Sequence, residues 1–235
     1  MRVQNLLLLA CILGMLYSRW GLAILPDAPK QQRANQPTVA NPATQAINAS
    51  VNVPPEAEQA RGKAREAQRI AIFASRKALK ASEQAQSSAG QAGSGTTGYF
   101  ATTNNQGYHY EGGWLNKQPD DIGYNGYGML SWPNGNRYEG QFLKGRKNGY
   151  GVFTGPNGDR YEGGWSGGDI NGYGRYVYPG GERYEGEYHN DNRHGYGVMI
   201  YPTGERYEGE WRDNEKNGYG VLSSFNGTVK YAGTW

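Results

Sequence analysis

The stretch Tyr161-Glu162-Gly163-Gly164-Trp165, followed by Gly172-Tyr173-Gly174, decides the fold because the chain repeats it. The same Tyr-x-Gly-x-aromatic pentad opens at six tyrosines, with intervals of 28, 23, 23, 23 and 24 residues: Tyr110, Tyr138, Tyr161, Tyr184, Tyr207 and Tyr231. A fixed period of this length indicates stacked supersecondary units. The sequence therefore predicts a repeat array over residues 98–235.

Each period has the alternation of a β-hairpin. In residues 137–142, RYEGQF, extended backbone places Tyr138 and Phe142 on one face and the charged residues on the other. Turn sequences such as Pro133-Asn134-Gly135 separate the strands and supply the positive φ that tight turns require. The predicted fold class is mainly β: an elongated single-sheet array of β-hairpins, preceded by a long Ala-rich α-helix and a disordered N-terminal tether.

Glycine recurs at fixed places within these strands. A glycine in a strand costs about 0.5–1 kcal/mol relative to alanine, so its recurrence requires a compensating gain. We expect the missing side chains to leave room for a neighbouring aromatic ring. The repeat-defining residues of the pentads are Tyr110, Gly112, Trp114, Tyr138, Gly140, Phe142, Tyr161, Gly163, Trp165, Tyr184, Gly186, Tyr188, Tyr207, Gly209 and Trp211. Those of the Gly-Tyr-Gly triplets are Gly126, Gly128, Gly149, Gly151, Gly172, Gly174, Gly195, Gly197, Gly218 and Gly220.

These pentads and triplets resemble the MORN repeat family, whose pattern is Tyr-x-Gly-x-Trp followed by Gly-x-Gly. The resemblance covers about residues 98–235, with about five repeats and half repeats at the ends. It departs from the pattern locally, through an insertion after Trp114 and through Ala232 in place of glutamate. The resemblance implies an elongated, twisted sheet that acts as a scaffold, oligomerisation or membrane-associated module rather than as a catalyst.

Charge separates the array from the rest of the chain. Residues 98–235 contain 13 Lys and Arg against 16 Asp and Glu, whereas residues 1–97 contain 11 basic and 5 acidic residues. Anionic lipid attracts basic segments, at about 1 kcal/mol per Lys or Arg near the surface, so lipid binding by the acidic repeats is the weaker interpretation. The array also lacks a basic, aromatic-lined strip, and no nucleic-acid partner is predicted.

The first 25 residues predict a signal peptide or a membrane anchor. Leu6–Tyr17 is an apolar run of 12 residues, a length typical of a signal h-region, with Ala23 as the residue before cleavage. Uncleaved, Leu6–Leu25 is about 20 residues long and could span a bilayer. Both alternatives predict an exported or membrane-anchored protein, in the periplasm or cell envelope if the host is bacterial.

The sequence between this segment and the array, residues 26–97, predicts a linker, a helix and a second linker. Residues 26–55 are rich in Pro, Asn, Gln and Ala and predict a disordered linker, and residues 90–97 predict a Gly/Ser linker. In residues 56–89 alanine recurs at alternating intervals of three and four residues, the a/d pattern of a coiled coil that would form a homo-oligomer. A solitary Ala-rich helix is the alternative. The seam comprises Ala57, Ala60, Ala64, Ala67, Ala71, Ala74, Ala78, Ala81 and Ala85.

No catalytic, cofactor-binding or metal-binding residue is predicted. His109, His189 and His194 lack the spacing of a metal site and are interpreted as solvated loop residues. The repeated glutamates, such as Glu139 and Glu162, each follow a basic residue or histidine by two positions and are interpreted as a ladder of surface ion pairs. Gly-Tyr-Gly is not a phosphate loop, because no Gly-Lys-Ser/Thr sequence accompanies it.

The sequence therefore predicts a non-enzymatic scaffold of the cell envelope or membrane that presents its repeats to protein partners of unknown identity. One alternative is a lipid- or glycan-binding module that uses exposed rings, which would be Trp114, Phe142, Trp165, Tyr188, Trp211 and Trp235. Strand alternation instead favours burial of these rings between hairpins. A second alternative is an accessory subunit that regulates a separate enzyme.

Overall fold

The structure is a computed structural model that describes residues 52–91, 99–113 and 125–235. The predicted signal or anchor, most of the tether, the Gly/Ser linker from residue 92 onward and Trp114 lie outside the described residues. Among the helices that are described, none is both long and apolar enough to cross a bilayer.

One helix precedes one sheet. Helix α1 comprises Pro55–Gln91, 37 residues. The strands are β1 (Tyr99–Thr103), β2 (His109–Gly113), β3 (Gly126–Ser131), β4 (Arg137–Leu143), β5 (Arg146–Thr154), β6 (Arg160–Ser166), β7 (Asp169–Val177), β8 (Arg183–His189), β9 (Asn192–Ile200), β10 (Arg206–Arg212), β11 (Glu215–Ser223) and β12 (Val229–Thr234). They form a single antiparallel sheet in which each strand pairs with its neighbours in sequence. The predicted fold class is confirmed for the helix and the sheet.

The pentad tyrosine lies over glycine on the adjacent strand. Gly140 of β4 pairs with Gly151 of β5, and the Tyr138 ring occupies the space above them. A Cβ added at Gly151 would come within 2.5 Å of that ring. The repeated glycines therefore make room for a ring, as the sequence predicted.

The same tyrosine also holds a bulge in its own strand. The register of β4 against β5 shifts between Gly140 and Phe142, and the Tyr138 hydroxyl donates to the carbonyl oxygen of Gln141 at 2.8 Å. Tyr161, Tyr184 and Tyr207 make the corresponding bonds to residues 164, 187 and 210, at 3.1, 3.0 and 2.9 Å. Because a bulge bends and twists a strand, one side chain sets both the packing and the curvature of each repeat.

The core is a ladder of edge-to-face aromatic contacts. The Tyr138 ring centroid lies 5.1 Å from that of Phe142 in its own pentad and 5.2 Å from that of Trp165 in the next. Phe142, Trp165, Tyr188 and Trp211 are buried, which confirms the packing interpretation over exposed, ligand-binding rings for these four. Burial also raises the pKa of Tyr138, Tyr161 and Tyr184 well above its ordinary value.

Helix α1 lies along the opposite face of the sheet and contacts every strand from β1 to β12. All nine alanines of the predicted seam are buried there, with Ala57, Ala64, Ala71, Ala78 and Ala85 fully inaccessible. The seam therefore packs on the sheet of its own chain and not on a second helix. This corrects the predicted coiled coil: no alanine seam is left exposed through which a homo-oligomer could form.

Seven residues of α1 span almost the same distance along the helix as one two-stranded repeat spans across the sheet. Seven helical residues rise about 10.5 Å, and two strands occupy about 9.6 Å across a sheet. Residues seven apart in the helix accordingly bond to glutamates 23 residues apart in the array. The pairs are Gln68–Glu185, Ser75–Glu162 and Ser82–Glu139. Two alanines per heptad place one small side chain over each strand, which lets the helix approach closely.

The tyrosine–glycine contact predicts the effect of adding one methyl group. Gly174→Ala places a Cβ about 2.5 Å from the buried Tyr161 ring, and we expect the free energy of unfolding in urea to fall by at least about 2 kcal/mol. Gly62→Ala, in an open position on α1, should instead raise it by about 0.5–1 kcal/mol. Equal stability of the two variants would contradict this account of the repeat.

Candidate interaction surface

A row of glutamates joins the sheet to the helix. Glu139, Glu162, Glu185 and Glu208 occupy the same pentad position in successive repeats, and all four side chains lie between the sheet and α1. Each pairs with the arginine two residues before it, as in Arg206–Glu208 at 2.8 Å. The predicted ion pairs are therefore present, but the carboxylates are not at the surface: Glu208 is 2% exposed.

The helix supplies the remaining partners of this row. Arg65 donates to both carboxylate oxygens of Glu208, at 2.8 and 3.2 Å, and Gln68 donates to Glu185 at 2.5 Å. Burial disfavours the charged form of Glu208, but bonds and charge from Arg65 and Arg206 outweigh burial and leave its pKa below the ordinary value. The Glu208 carboxylate is thus held in its charged form by two arginines, one from α1 and one from the sheet, and it ties the helix to the array.

The outer face of α1 is both apolar and basic. Ile70, Ile72, Phe73 and Leu79 are exposed, Phe73 by 57%. Arg69, Arg76, Lys77 and Lys80 lie among them, and no acidic residue occurs in α1 from residue 67 to residue 82. We call these eight residues the helix strip.

The triplet tyrosines form a second row, along one flank of α1. Lys63 Nζ lies 3.2 Å from the Tyr196 hydroxyl, and Lys77 Nζ lies 5.0 Å from the centre of the Tyr150 ring. Between these two cations, Ile70 and Phe73 of α1 line a cavity of about 300 Å³ with Tyr150 and Tyr173. We call this cavity the flank cavity.

The histidines are placed differently from the sequence interpretation. His109, His189 and His194 lie in β2, β8 and β9 and not in loops. His109 Nε2 is 2.6 Å from Glu111 Oε1, and the His189 and His194 rings are 5.8 Å apart. In the part of the chain that the structure describes, no three His, Cys, Asp or Glu side chains are grouped so as to hold a metal ion.

Sequence reasoning located the residues of the repeat and also found that Ile70, Ile72, Phe73 and Leu79 lie off the alanine seam among basic residues, where another partner or a membrane would pack on them. It missed the flank cavity. Most of the repeat-defining residues are buried in the sheet, but Gly149, Trp165 and Gly172 also line the flank cavity. Aligning the pentads with one another places glycine at this position in Gly113 and Gly164, whereas Gln141, Glu187 and Glu210 carry a long polar side chain there. The flank cavity lies at Gly164. The structure shows that the four apolar residues are exposed, because the alanine seam faces the sheet.

The glutamate row generates a prediction about the docking of α1. Glu208→Gln removes the charge that pairs with Arg65 and Arg206, and we expect the free energy of unfolding at neutral pH to fall by about 1–2 kcal/mol, less than for a fully buried pair because solvent screens the guanidinium groups. The pKa of Glu208 is depressed in the folded state, so its contribution is present above the ordinary carboxyl pKa and is lost as pH falls through the folded value.

The difference between wild type and Glu208→Gln should therefore shrink below about pH 4 in urea unfolding experiments. Glu66→Gln is the matched control, because Glu66 forms an exposed pair with Arg69 on the same helix and should change stability little. An equal effect of the two substitutions would mean that the buried row does not hold the helix.

Comparison with known proteins identifies the repeats. Five consecutive segments match the MORN repeat model: residues 123–137, 138–160, 161–183, 184–206 and 207–229. No curated protein shows a significant match to the chain.

Two solved structures match part of this chain. One is the TCP domain of SAS-4 (dCPAP) from Drosophila melanogaster in complex with a proline-rich motif of Ana2 (dSTIL), 12% identical, with a TM-score of 0.29 over 59% of this chain and 85% of that chain. The other is the TCP10 domain of Danio rerio CPAP in complex with a STIL peptide, 15% identical, with a TM-score of 0.18 over 57% of this chain and 78% of that chain. Similarity this low carries no argument about function.

The tyrosine–glycine packing, the bulge in each pentad and the matched segments describe one and the same unit. Residues 123–229 are five consecutive MORN repeats.

Proposed function

We propose that this protein is a non-enzymatic scaffold that presents a rigid surface to a protein partner, and that this surface is the helix strip with the neighbouring flank cavity. The observation that carries the proposal is the exposure of Ile72, Phe73 and Leu79 on the side of α1 that faces away from the buried alanine seam, with Ile70 exposed on the flank toward the cavity. Several large apolar side chains exposed on one element mark a candidate interaction surface.

The rigidity of the surface supports this role. Helix α1 is about 55 Å long and is bonded to the sheet at each repeat through the glutamate row. A surface that is already ordered loses little conformational entropy when a partner binds, which favours affinity. The repeats thus serve as the support that fixes α1, and α1 carries the contacts.

The charge of the helix strip defines the partner. Arg76, Lys77 and Lys80 lie among the apolar side chains without an acidic residue between them, while Arg69 pairs with Glu66 at the end of the strip. A complementary partner therefore offers apolar residues flanked by Asp or Glu, since opposite potentials steer encounter and fix register.

An anionic lipid surface is the second candidate for the same strip. Basic residues with interspersed Ile, Phe and Leu are the composition of helices that lie in the membrane interface. The acidic repeats remain poor lipid binders by charge, so any lipid contact would be made by α1.

We further propose that residues 1–25 attach the protein to a membrane or direct its export. The support is the apolar composition of Leu6–Leu25. We expect the protein to stay with the membrane fraction after alkaline extraction if the segment is an uncleaved anchor, and to begin at residue 24 on N-terminal sequencing if it is cleaved after Ala23. A soluble protein that retains Met1 would contradict both.

The surface proposal is tested by affinity capture with the full chain. Immobilised wild type should retain a protein in near-stoichiometric amount from a detergent extract of host cells, and a variant with Ile72→Ser, Phe73→Ser and Leu79→Ser should lose it. Phe225→Ser is the matched control, because Phe225 is 82% exposed on a distant turn.

Retention by the triple variant, or loss with Phe225→Ser, would contradict the helix strip as the binding surface. Recovery of anionic lipid without protein, again lost in the triple variant, would favour the second candidate instead.

A further inference from the structure

The fourth residue of the pentad bonds to the triplet of its own repeat in three repeats. Gly164, in the third repeat, has no side chain that could do so. In those three repeats the side-chain oxygen of the fourth residue accepts a hydrogen bond from the backbone N–H of the following triplet tyrosine. The bonds are Gln141 Oε1 to Tyr150 N at 2.7 Å, Glu187 Oε1 to Tyr196 N at 3.0 Å and Glu210 Oε1 to Tyr219 N at 3.0 Å. A glutamine or glutamate side chain is thus the shape and chemistry that completes this part of a repeat.

The third repeat has Gly164 at this position, so Gly164 offers no side-chain acceptor to the Tyr173 N–H. The adjacent triplet glycines show that the space is open. A Cβ at Gly195 or Gly218 would meet the carboxyl group of Glu187 or Glu210 at 2.7 Å, whereas a Cβ at Gly172 would meet nothing within 4 Å. The space beside Gly172 is therefore open, whereas the carbonyl oxygen of Asn171 lies 2.4 Å from the Cβ position of Gly164 itself.

This space forms one end of the flank cavity. Gly164, Gly172 and Tyr173 line it on the sheet side, and Ile70 and Phe73 line it on the α1 side. A volume of about 300 Å³ lies at the lower end of the range for ligand pockets. Apolar side chains beside the Tyr173 backbone suit a short apolar stem that ends in an oxygen acceptor.

We propose that the flank cavity binds the side chain of a glutamine or glutamate residue of a partner peptide. Its carbonyl or carboxylate oxygen accepts the Tyr173 N–H, its methylene groups lie beside Tyr150 and Tyr173, and apolar residues next to it in the peptide contact Ile70 and Phe73. The partner thereby supplies the group that Gln141, Glu187 and Glu210 supply within the chain. The inference rests on the proposed function, since it assumes that the surface along α1 receives a protein.

The charges around the cavity are of both signs. Lys77 Nζ lies 4.7 Å from the centre of the Phe73 ring and 5.0 Å from that of Tyr150, both of which line the cavity. Burial, and then Glu187 and Glu66, raise the pKa of the Tyr173 hydroxyl. Lys77 favours a carboxylate and the two acids favour a neutral carboxamide, so glutamine and glutamate are separate arms of the test.

The test is NMR of the full chain with isotope-labelled tyrosine, in which Tyr173→Phe assigns the Tyr173 amide. The probes are N-acetyl-glutamine methylamide, N-acetyl-glutamate methylamide and, as a control without an acceptor, N-acetyl-leucine methylamide. We expect the Tyr173 amide to shift saturably with the glutamine or glutamate probe and to respond to the leucine probe about tenfold more weakly, the effect of one lost hydrogen bond.

A reciprocal variant extends the test to the second repeat, and its Tyr150 response is compared with that of wild type because Tyr150 also lines the flank cavity. Gln141→Gly removes atoms only, and it should create a second site at which the Tyr150 amide responds to the same probes. Gly164→Gln should abolish the Tyr173 response, but its Cβ would press on the carbonyl oxygen of Asn171, so Gln141→Gly is the decisive variant.

Failure of both the Tyr173 and the Tyr150 amides to respond would overturn the proposal, as would an equal response to the leucine probe. Probe binding without capture of any protein would contradict the proposed function but leave the site in place. Capture of a protein through the helix strip, without any probe binding, would contradict the proposed peptide site and leave the proposed function in place.

Discussion

The contact between a tyrosine ring and a glycine on the next strand is the constraint on which the rest of the structure depends. It requires glycine at two facing positions of every hairpin, because a Cβ at Gly151 or Gly174 would enter the ring above it. The same tyrosine donates its hydroxyl to the carbonyl oxygen three residues later and thereby holds the bulge of its strand. Edge-to-face contacts then link each ring to the aromatic residue of the next pentad. Packing, curvature and propagation of the array thus follow from one side chain.

The second constraint is the match in length between the heptad and the repeat. A helix that crosses this sheet passes an equivalent set of side chains every two strands. In α1 the residues that contact these sets are seven positions apart. Alanine allows close approach, and polar side chains at Gln68, Ser75 and Ser82 reach one glutamate per repeat. Burying four carboxylates would be costly without these partners and the arginines beside them, because unpaired charge is strongly disfavoured away from water. The helix and the array therefore form one unit, and the exposed surface of that unit is carried by the helix.

Exposed features arise where the repeat departs from its own rules. Gly164 stands where other repeats carry Gln141, Glu187 or Glu210, and the flank cavity lies at that point. Large apolar residues occur on the outer face of α1, where a helix packed on a sheet would ordinarily be polar. A perfectly regular array would satisfy all of its own groups and offer little for a partner to recognise. The irregular positions are consequently the ones to which we assign function.

The sequence by itself determined the hairpins, the face on which the tyrosines lie and the helical character of the alanine segment, because each of these follows from local periodicity and from the steric size of glycine. It also contained the irregularity at Gly164, which a comparison of the pentads with one another would have exposed. Only the tertiary structure decided what the alanine seam packs against. Seven helical residues rise almost as far as two strands are wide, so the same heptad fits a second helix or the sheet, and spacing alone does not distinguish them. Because the seam packs on the sheet, Glu208 and its equivalents are buried and the seam is not available as an oligomer interface. Phe73 and its neighbours remain exposed.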